Sequence, residues 1–92
     1  MREDMTKAKE MDYVLTDHAR KRCIRRKVLD EWIKATIEHP ARTENDEDDP
    51  SLVHALRAIP EKGFRVLRVI YNETVTPVRV VTAYFDDEAS DL

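Results

Sequence analysis

Phe64-Arg-Val-Leu-Arg-Val-Ile-Tyr71 and Val78-Arg-Val-Val-Thr-Ala-Tyr-Phe85 are two runs rich in β-branched and aromatic residues, separated by the turn-forming stretch Asn72–Pro77. They read as neighbouring strands of a hairpin. A third run, Ser51–Ile59, carries Leu52, Val53, Leu56 and Ile59 and reaches the first through the turn Pro60-Glu61-Lys62-Gly63. Three consecutive strands make an antiparallel meander. Strict alternation on the last strand turns Val81, Ala83 and Phe85 toward a core and Val80, Thr82 and Tyr84 away from it. The middle strand shows no clean apolar face, because Arg65 and Arg68 fall on opposite sides. His54 and Arg57 also fall on opposite faces of their strand.

Upstream the period changes from two to three and four. Leu29, Trp32, Ile33, Thr36 and Ile37 form one stripe of a helix from about Leu29 to Glu38. Asp30 and Glu31 suit its positive end, and His39-Pro40 stops it. Before it lies Thr16-Asp17-His18-Ala19-Arg20-Lys21-Arg22-Cys23-Ile24-Arg25-Arg26-Lys27, read as a helix to about Arg26 with Thr16 or Asp17 as N-cap. Ala19 and Cys23 face inward. Tyr13-Val14-Leu15 is a short first strand. The order is therefore β-α-α-β-β-β, an α+β fold with two N-terminal helices packed on one face of a curved antiparallel sheet. Residues 1–11 read as a flexible tail, 12–86 as a single domain and 87–92 as an acidic tail. Residues 41–51 form a loop with an acidic run at 43–50, and that run lacks the Asp-x-Asp-x-Asp-Gly pattern of a calcium loop.

Composition narrows the class. Ninety-two residues suffice for one small core. No apolar run approaches the roughly 20 residues that span a bilayer, and Met1–Glu10 has no apolar segment of the signal-peptide type. The single cysteine, Cys23, precludes an internal disulfide and fits a reducing, cytoplasmic setting. His18, His39, His54 and Cys23 show no metal-ligand spacing, so neither a metal nor a cofactor is expected. The net charge of −3 conceals a division: outside 43–50 and 86–92, which carry no base, the body holds 16 bases and 10 acids. A basic body with acidic appendages is compatible with a nucleic-acid partner.

The chemistry-bearing residues concentrate in the first helix. Six of its positions 20–27 are basic. On a helix His18, Arg22 and Arg25 share a face, with Lys21 at its edge. An imidazole one turn from a guanidinium can move a proton near neutral pH while a fixed positive charge meets developing negative charge. A solvated basic face accounts for the same residues equally simply.

Thr16-x-His18-Ala19-x-x-Arg22-x-x-x-Arg26-x-Val28, the amphipathic helix ending at Pro40 and the late strand Val80-Val81-Thr82-Ala83-Tyr84 together resemble a widespread family of small bacterial and phage domains of unknown function. Its members read Thr-x-His-Ala-x-x-Arg-x-x-x-Arg-Gly-Ile early and Val-x-Thr-x-Tyr late. The resemblance covers roughly residues 13–85 and implies a relationship to RelE/ParE-like and BrnT-like toxins, with a barnase-like fold of two helices on an antiparallel sheet. It places His18, Arg22, Arg26, Thr82 and Tyr84 at characteristic positions. Two departures stand out. Lys27 replaces the glycine that ends the first helix, and Leu29 lies near the usual Ser or Thr cap of the second.

The expected function is a toxin-type, metal-independent endoribonuclease of a toxin–antitoxin-like system, with RNA as substrate and an antitoxin protein as partner. His18 is its candidate acid or base, and Arg22 and Arg26 hold phosphate. His54, Arg68, Thr82 and Tyr84 are second-rank substrate-binding candidates, Tyr84 as a base-stacking ring. The alternative is a non-catalytic RelE-like module that binds a protein or nucleic acid through the basic helix face.

Overall fold

The computed structural model describes residues 12–89. Strand β1 (Tyr13–Leu15) leads into helix α1 (Asp17–Arg26) and helix α2 (Asp30–Glu38). Then follow strands β2 (Arg42–Asn45), β3 (Leu52–Ile59), β4 (Arg65–Asn72) and β5 (Val78–Phe85). The five strands form one open sheet in the order β1-β5-β4-β3-β2. The meander β3-β4-β5 is antiparallel as the sequence indicates, and both helices pack on one face.

Two features depart from the expected strand set. Strand β1 pairs with β5 in parallel, so the sheet is mixed. A fifth strand, β2, occupies the start of the segment read as an acidic loop and pairs antiparallel with β3. Its four residues contain one β-branched side chain and two charges, too little pattern to stand out from a loop. Residues 1–11 of the expected N-terminal tail and 90–92 of the C-terminal one lie outside the described residues. Asp87, next to the end of β5, receives two hydrogen bonds from Arg65, at 3.0 and 3.1 Å.

The core lies between helices and sheet. Ala19 and Cys23 of α1 and Trp32, Ile33 and Ile37 of α2 are buried against Val53, Ala55, Ile59, Leu67, Val69, Tyr71, Val80 and Ala83. Trp32 meets Phe85 edge-on, with ring centroids 6.0 Å apart. Thr36 is fully buried, and its hydroxyl donates to the Trp32 carbonyl at 2.8 Å, which removes the penalty of an unpaired polar group.

Strict alternation fails on β5 at one place. Ile70 opposes Thr82, but the next residue, Tyr71, opposes Val80, so Val81 is an extra residue in a bulge. Val80 therefore points into the core with Ala83, not outward with Thr82 and Tyr84. The inward set is Val78, Val80, Ala83 and Phe85 rather than Val81, Ala83 and Phe85. On β4 the helix-facing set is Leu67, Val69 and Tyr71, which leaves Arg68 on the opposite face.

Helix boundaries follow from their caps. Thr16 Oγ1 accepts from the Ala19 amide at 3.0 Å and starts α1. The helix ends in a Schellman turn. Val28 N–H donates to the Cys23 carbonyl at 2.9 Å and Lys27 N–H to that of Ile24 at 3.1 Å. Lys27 takes the left-handed conformation, φ 60° and ψ 40°, that this turn requires. The break between the helices thus survives without glycine. Leu29 caps α2 with no side-chain hydrogen bond.

A side chain in the left-handed region carries a cost that glycine lacks. Lys27→Gly is expected to stabilise the fold by about 0.5–1 kcal/mol and raise the melting temperature by several degrees. Thermal denaturation followed by circular dichroism checks this. An unchanged or lowered midpoint would show that the lysine conformation is not strained.

Candidate functional site

The sheet has one face under the helices and one face without them. Directly opposed residues in neighbouring strands point the same way, so the register defines rows on the open face, two of which carry the candidate residues. One runs Arg42, Leu56, Arg68, Tyr84 across β2, β3, β4 and β5. The other runs Glu44, His54, Ile70, Thr82. All four second-rank residues therefore share one face.

Arg26 joins helix α1 to this face. Strand β1 pairs only with Val78–Val80, so among the described residues the outer edge of β5 beyond Val80 has no strand beside it. Arg26, at the last turn of α1, covers that edge. Its Nη1 donates to the Ala83 carbonyl at 2.9 Å and to Thr82 Oγ1 at 3.4 Å. The guanidinium carbon lies 5.8 Å from the centre of the Tyr84 ring. Arg26 thus meets Thr82 and Tyr84, more than fifty positions further along the chain, at one point.

His18 and Arg22 stand on the same helix, two turns and one turn before Arg26. Successive members of this i, i+4, i+8 series are about 6 Å apart along the axis. Thr16, the cap beside His18, donates its amide to the Val80 carbonyl at 3.1 Å. The helix therefore runs beside β5 from the bulge toward Ala83. His18 and Arg22 are exposed. Their side chains make no hydrogen bond or ion pair among the described residues, so the helix stripe ends in a made contact at Arg26 and an open one at His18.

A second cluster lies beside Tyr84. Arg68 Nε donates to Asp86 Oδ2 at 2.8 Å, and its Nη1 lies 3.2 Å from Glu44 Oε1 and 2.8 Å from His54 Nδ1. His54 Nε2 is 2.7 Å from Asp46 Oδ1. A guanidinium only donates, so Nδ1 accepts from Arg68 and Nε2 carries the proton given to Asp46. This arrangement engages both ring nitrogens of His54. The sequence reading identified His54 and Arg68 but missed Arg42, Glu44, Asp46 and Asp86. Those residues lie in the strand read as a loop, in the acidic run and past the end of β5, where no period marks a facing side chain.

The cluster holds its carboxyls ionised. The Arg68 hydrogen bond is the main cause that lowers Glu44, and the His54 hydrogen bond the main cause that lowers Asp46. Partial burial pushes Asp86 up, but hydrogen bonds from Arg68 and from the Glu88 amide more than offset it. Burial also works against the charge on Arg68, and its two carboxylate partners reverse that effect. The six bases of segment 20–27 differ. Among the described residues none of them forms an ion pair with a carboxylate, whereas Arg42, Arg65 and Arg68 all do. No group of three or more His, Cys, Asp or Glu among the described residues is arranged to hold a metal ion. No described helix is long and apolar enough to cross a membrane.

A small α+β domain with an open sheet face, a basic first helix and a helix-to-strand arginine contact is the class these observations define. The chain belongs to the DUF4258 family, a domain of unknown function, which matches residues 15–85. Comparison with curated proteins and with solved structures returns no match.

The lowered carboxyls make the cluster a pH-dependent contribution to stability. In acid the unfolded chain takes up protons before the folded one does. The contribution is complete above the ordinary values, 4.5 for Glu44 and 3.8 for Asp46 and Asp86, and is lost as pH falls through the lower folded values. The urea midpoint is expected to fall between about pH 6 and about pH 3. Arg68→Gln is expected to lower the midpoint at the higher pH and flatten the profile. A variant profile parallel to that of the parent would show that Arg68 does not hold these carboxyls.

Proposed function

We propose that this chain is an RNA-directed domain that acts as a metal-independent endoribonuclease, with its site along helix α1 and the free edge of β5. The observation that carries the reading is the contact of Arg26 with Thr82 and Tyr84 at the end of the stripe that begins with His18. It joins the helix cations, which form no ion pair among the described residues, to an aromatic ring on an open sheet face. Cations hold a backbone and exposed rings stack bases, the combination used to bind single-stranded RNA.

The reaction that fits these groups is attack of a ribose 2′-oxygen on the adjacent phosphorus. The 2′-hydroxyl gives up its proton to a base, the bond from phosphorus to the 5′-oxygen breaks, and that oxygen is protonated. The products are a 2′,3′-cyclic phosphate and a 5′-hydroxyl, with no other reactant consumed. His18, exposed and without a side-chain hydrogen bond among the described residues, is the group that moves a proton. Arg22 and Arg26 face the charge that develops on the phosphorane. The relationship to RelE/ParE-like and BrnT-like toxins that the sequence motifs imply supports this setting, with an antitoxin as protein partner and cytoplasmic RNA as target.

A second reading rests on the Arg68 cluster. Its charges are already paired within the chain, and His54 has no free ring nitrogen. That arrangement suits a non-catalytic module that binds RNA or a protein through α1 alone.

Incubation with end-labelled mixed-sequence RNA in EDTA separates the two. The parent is expected to cleave, and His18→Ala to reduce the rate at least about a hundredfold with the fold intact. Arg22→Ala is expected to lose activity as well. Salt-sensitive binding without cleavage would establish the module, and cleavage unaffected by His18→Ala would remove His18 from the mechanism.

A further inference from the structure

The Arg68 cluster has two acidic partners of different kinds. Asp86 is fixed in place. Its amide donates to the Val66 carbonyl at 2.8 Å, and its second carboxylate oxygen accepts from the Glu88 amide at 3.0 Å. Glu44 has its backbone in the β2–β3 ladder, but among the described residues no backbone amide holds its carboxylate. Its side chain is 40% exposed and is held only between two guanidiniums, with Arg42 Nε at 3.0 Å and Arg68 Nη1 at 3.2 Å.

The hold on Glu44 is imperfect. Arg42 Nε is within ion-pair distance of the carboxylate but is not aimed at it, so this buried N–H lacks an aligned acceptor. Two arginines on either side of one oxyanion form a site for a phosphate as much as for a carboxylate, since a guanidinium matches both. The site lies in the same row as Tyr84. From Tyr84 to Arg42 the row crosses three strand spacings, about 14 Å. Arg26 lies at one end beside Tyr84, and Arg68 stands between.

We propose that Arg42 and Arg68 form a second phosphate subsite on the open sheet face, occupied in the free protein by the carboxylate of Glu44, which an RNA strand reaching across from β5 displaces. The proposal rests on the RNA-directed reading of α1 and extends it from the edge of β5 across the sheet. Glu44 thereby acts as an internal competitor, so a strand that reaches only the β5 edge is bound less tightly than one long enough to displace it.

The test uses a single-stranded 2′-O-methyl oligonucleotide, which lacks the attacking hydroxyl and cannot be cleaved. Binding is measured over a range of salt for the full chain. Glu44→Gln is expected to tighten binding roughly two- to fivefold at low salt. It is also expected to steepen the dependence of log K on log salt by about 0.7, the contribution of one added phosphate contact on a single strand. Glu47→Gln makes the same charge change in the same acidic run at an exposed position and is expected to leave the slope unchanged. Adding Arg42→Gln to Glu44→Gln is expected to abolish the gain. Equal effects of Glu44→Gln and Glu47→Gln, or a gain that survives loss of Arg42, would overturn the proposal. A parent that binds and cleaves RNA while Glu44→Gln gains nothing removes the subsite and leaves the α1 site standing. Absence of binding by every variant removes both.

Discussion

The length of β1 constrains everything on the functional side of this molecule. Three residues pair with Val78–Val80 and no more. Beyond Val80 the outer edge of β5 would present unpaired backbone groups, which costs stability and invites pairing with another chain. The bulge at Val81 and the side chain of Arg26 together resolve this. The bulge turns Val80 and Ala83 both inward, and Arg26 takes the Ala83 carbonyl. The same side chain then lies over Tyr84 and beside Thr82, so the solution to an edge-strand problem also assembles the polar corner of the open face.

Two populations of cation result. Arg42, Arg65 and Arg68 of the sheet are neutralised by carboxylates from β2 and the segment after β5, whereas Arg57 and the exposed Arg79 form no ion pair among the described residues. Those of α1 project outward with a single acid, Asp17, in the same helix. The overall negative charge of the chain is therefore no guide to its binding surface. A polyanion approaching this domain meets α1 first, and Arg42 and Arg68 of the sheet face become available to it only by exchange with carboxylates already present.

Much of the fold is legible in the sequence, because long apolar periods announce it. The stripe Leu29, Trp32, Ile33, Thr36, Ile37 and the runs Phe64–Tyr71 and Val78–Phe85 each contain enough repeats to identify both element and partner layer. What escaped had no period to show. Strand β2 is four residues long and mostly polar, and it exists because β3 supplies a partner edge. The bulge at Val81 is invisible to alternation, since valine suits either face. Lys27 shows the converse. Glycine marks a left-handed turn in sequence, but the hydrogen bonds of Val28 and Lys27 to the end of α1 hold a lysine there as well. For the site, helix spacing pointed to His18, Arg22 and Arg25, and the family resemblance to Arg26, Thr82 and Tyr84. Alternation already turns Thr82 and Tyr84 away from the helices, but only the structure shows Arg26 reaching around the edge to meet them.

The claim at the centre of this account is that α1 and the free edge of β5 form one binding surface. Backbone amide NMR of the labelled chain, titrated with a single-stranded 2′-O-methyl oligonucleotide, tests it directly. The account predicts shift changes concentrated at His18, Arg22, Arg26 and Thr82–Tyr84, progressing with added oligonucleotide and reversed by salt. Changes confined to the opposite flank, around Val14 and Leu29, or no changes along α1, would contradict it.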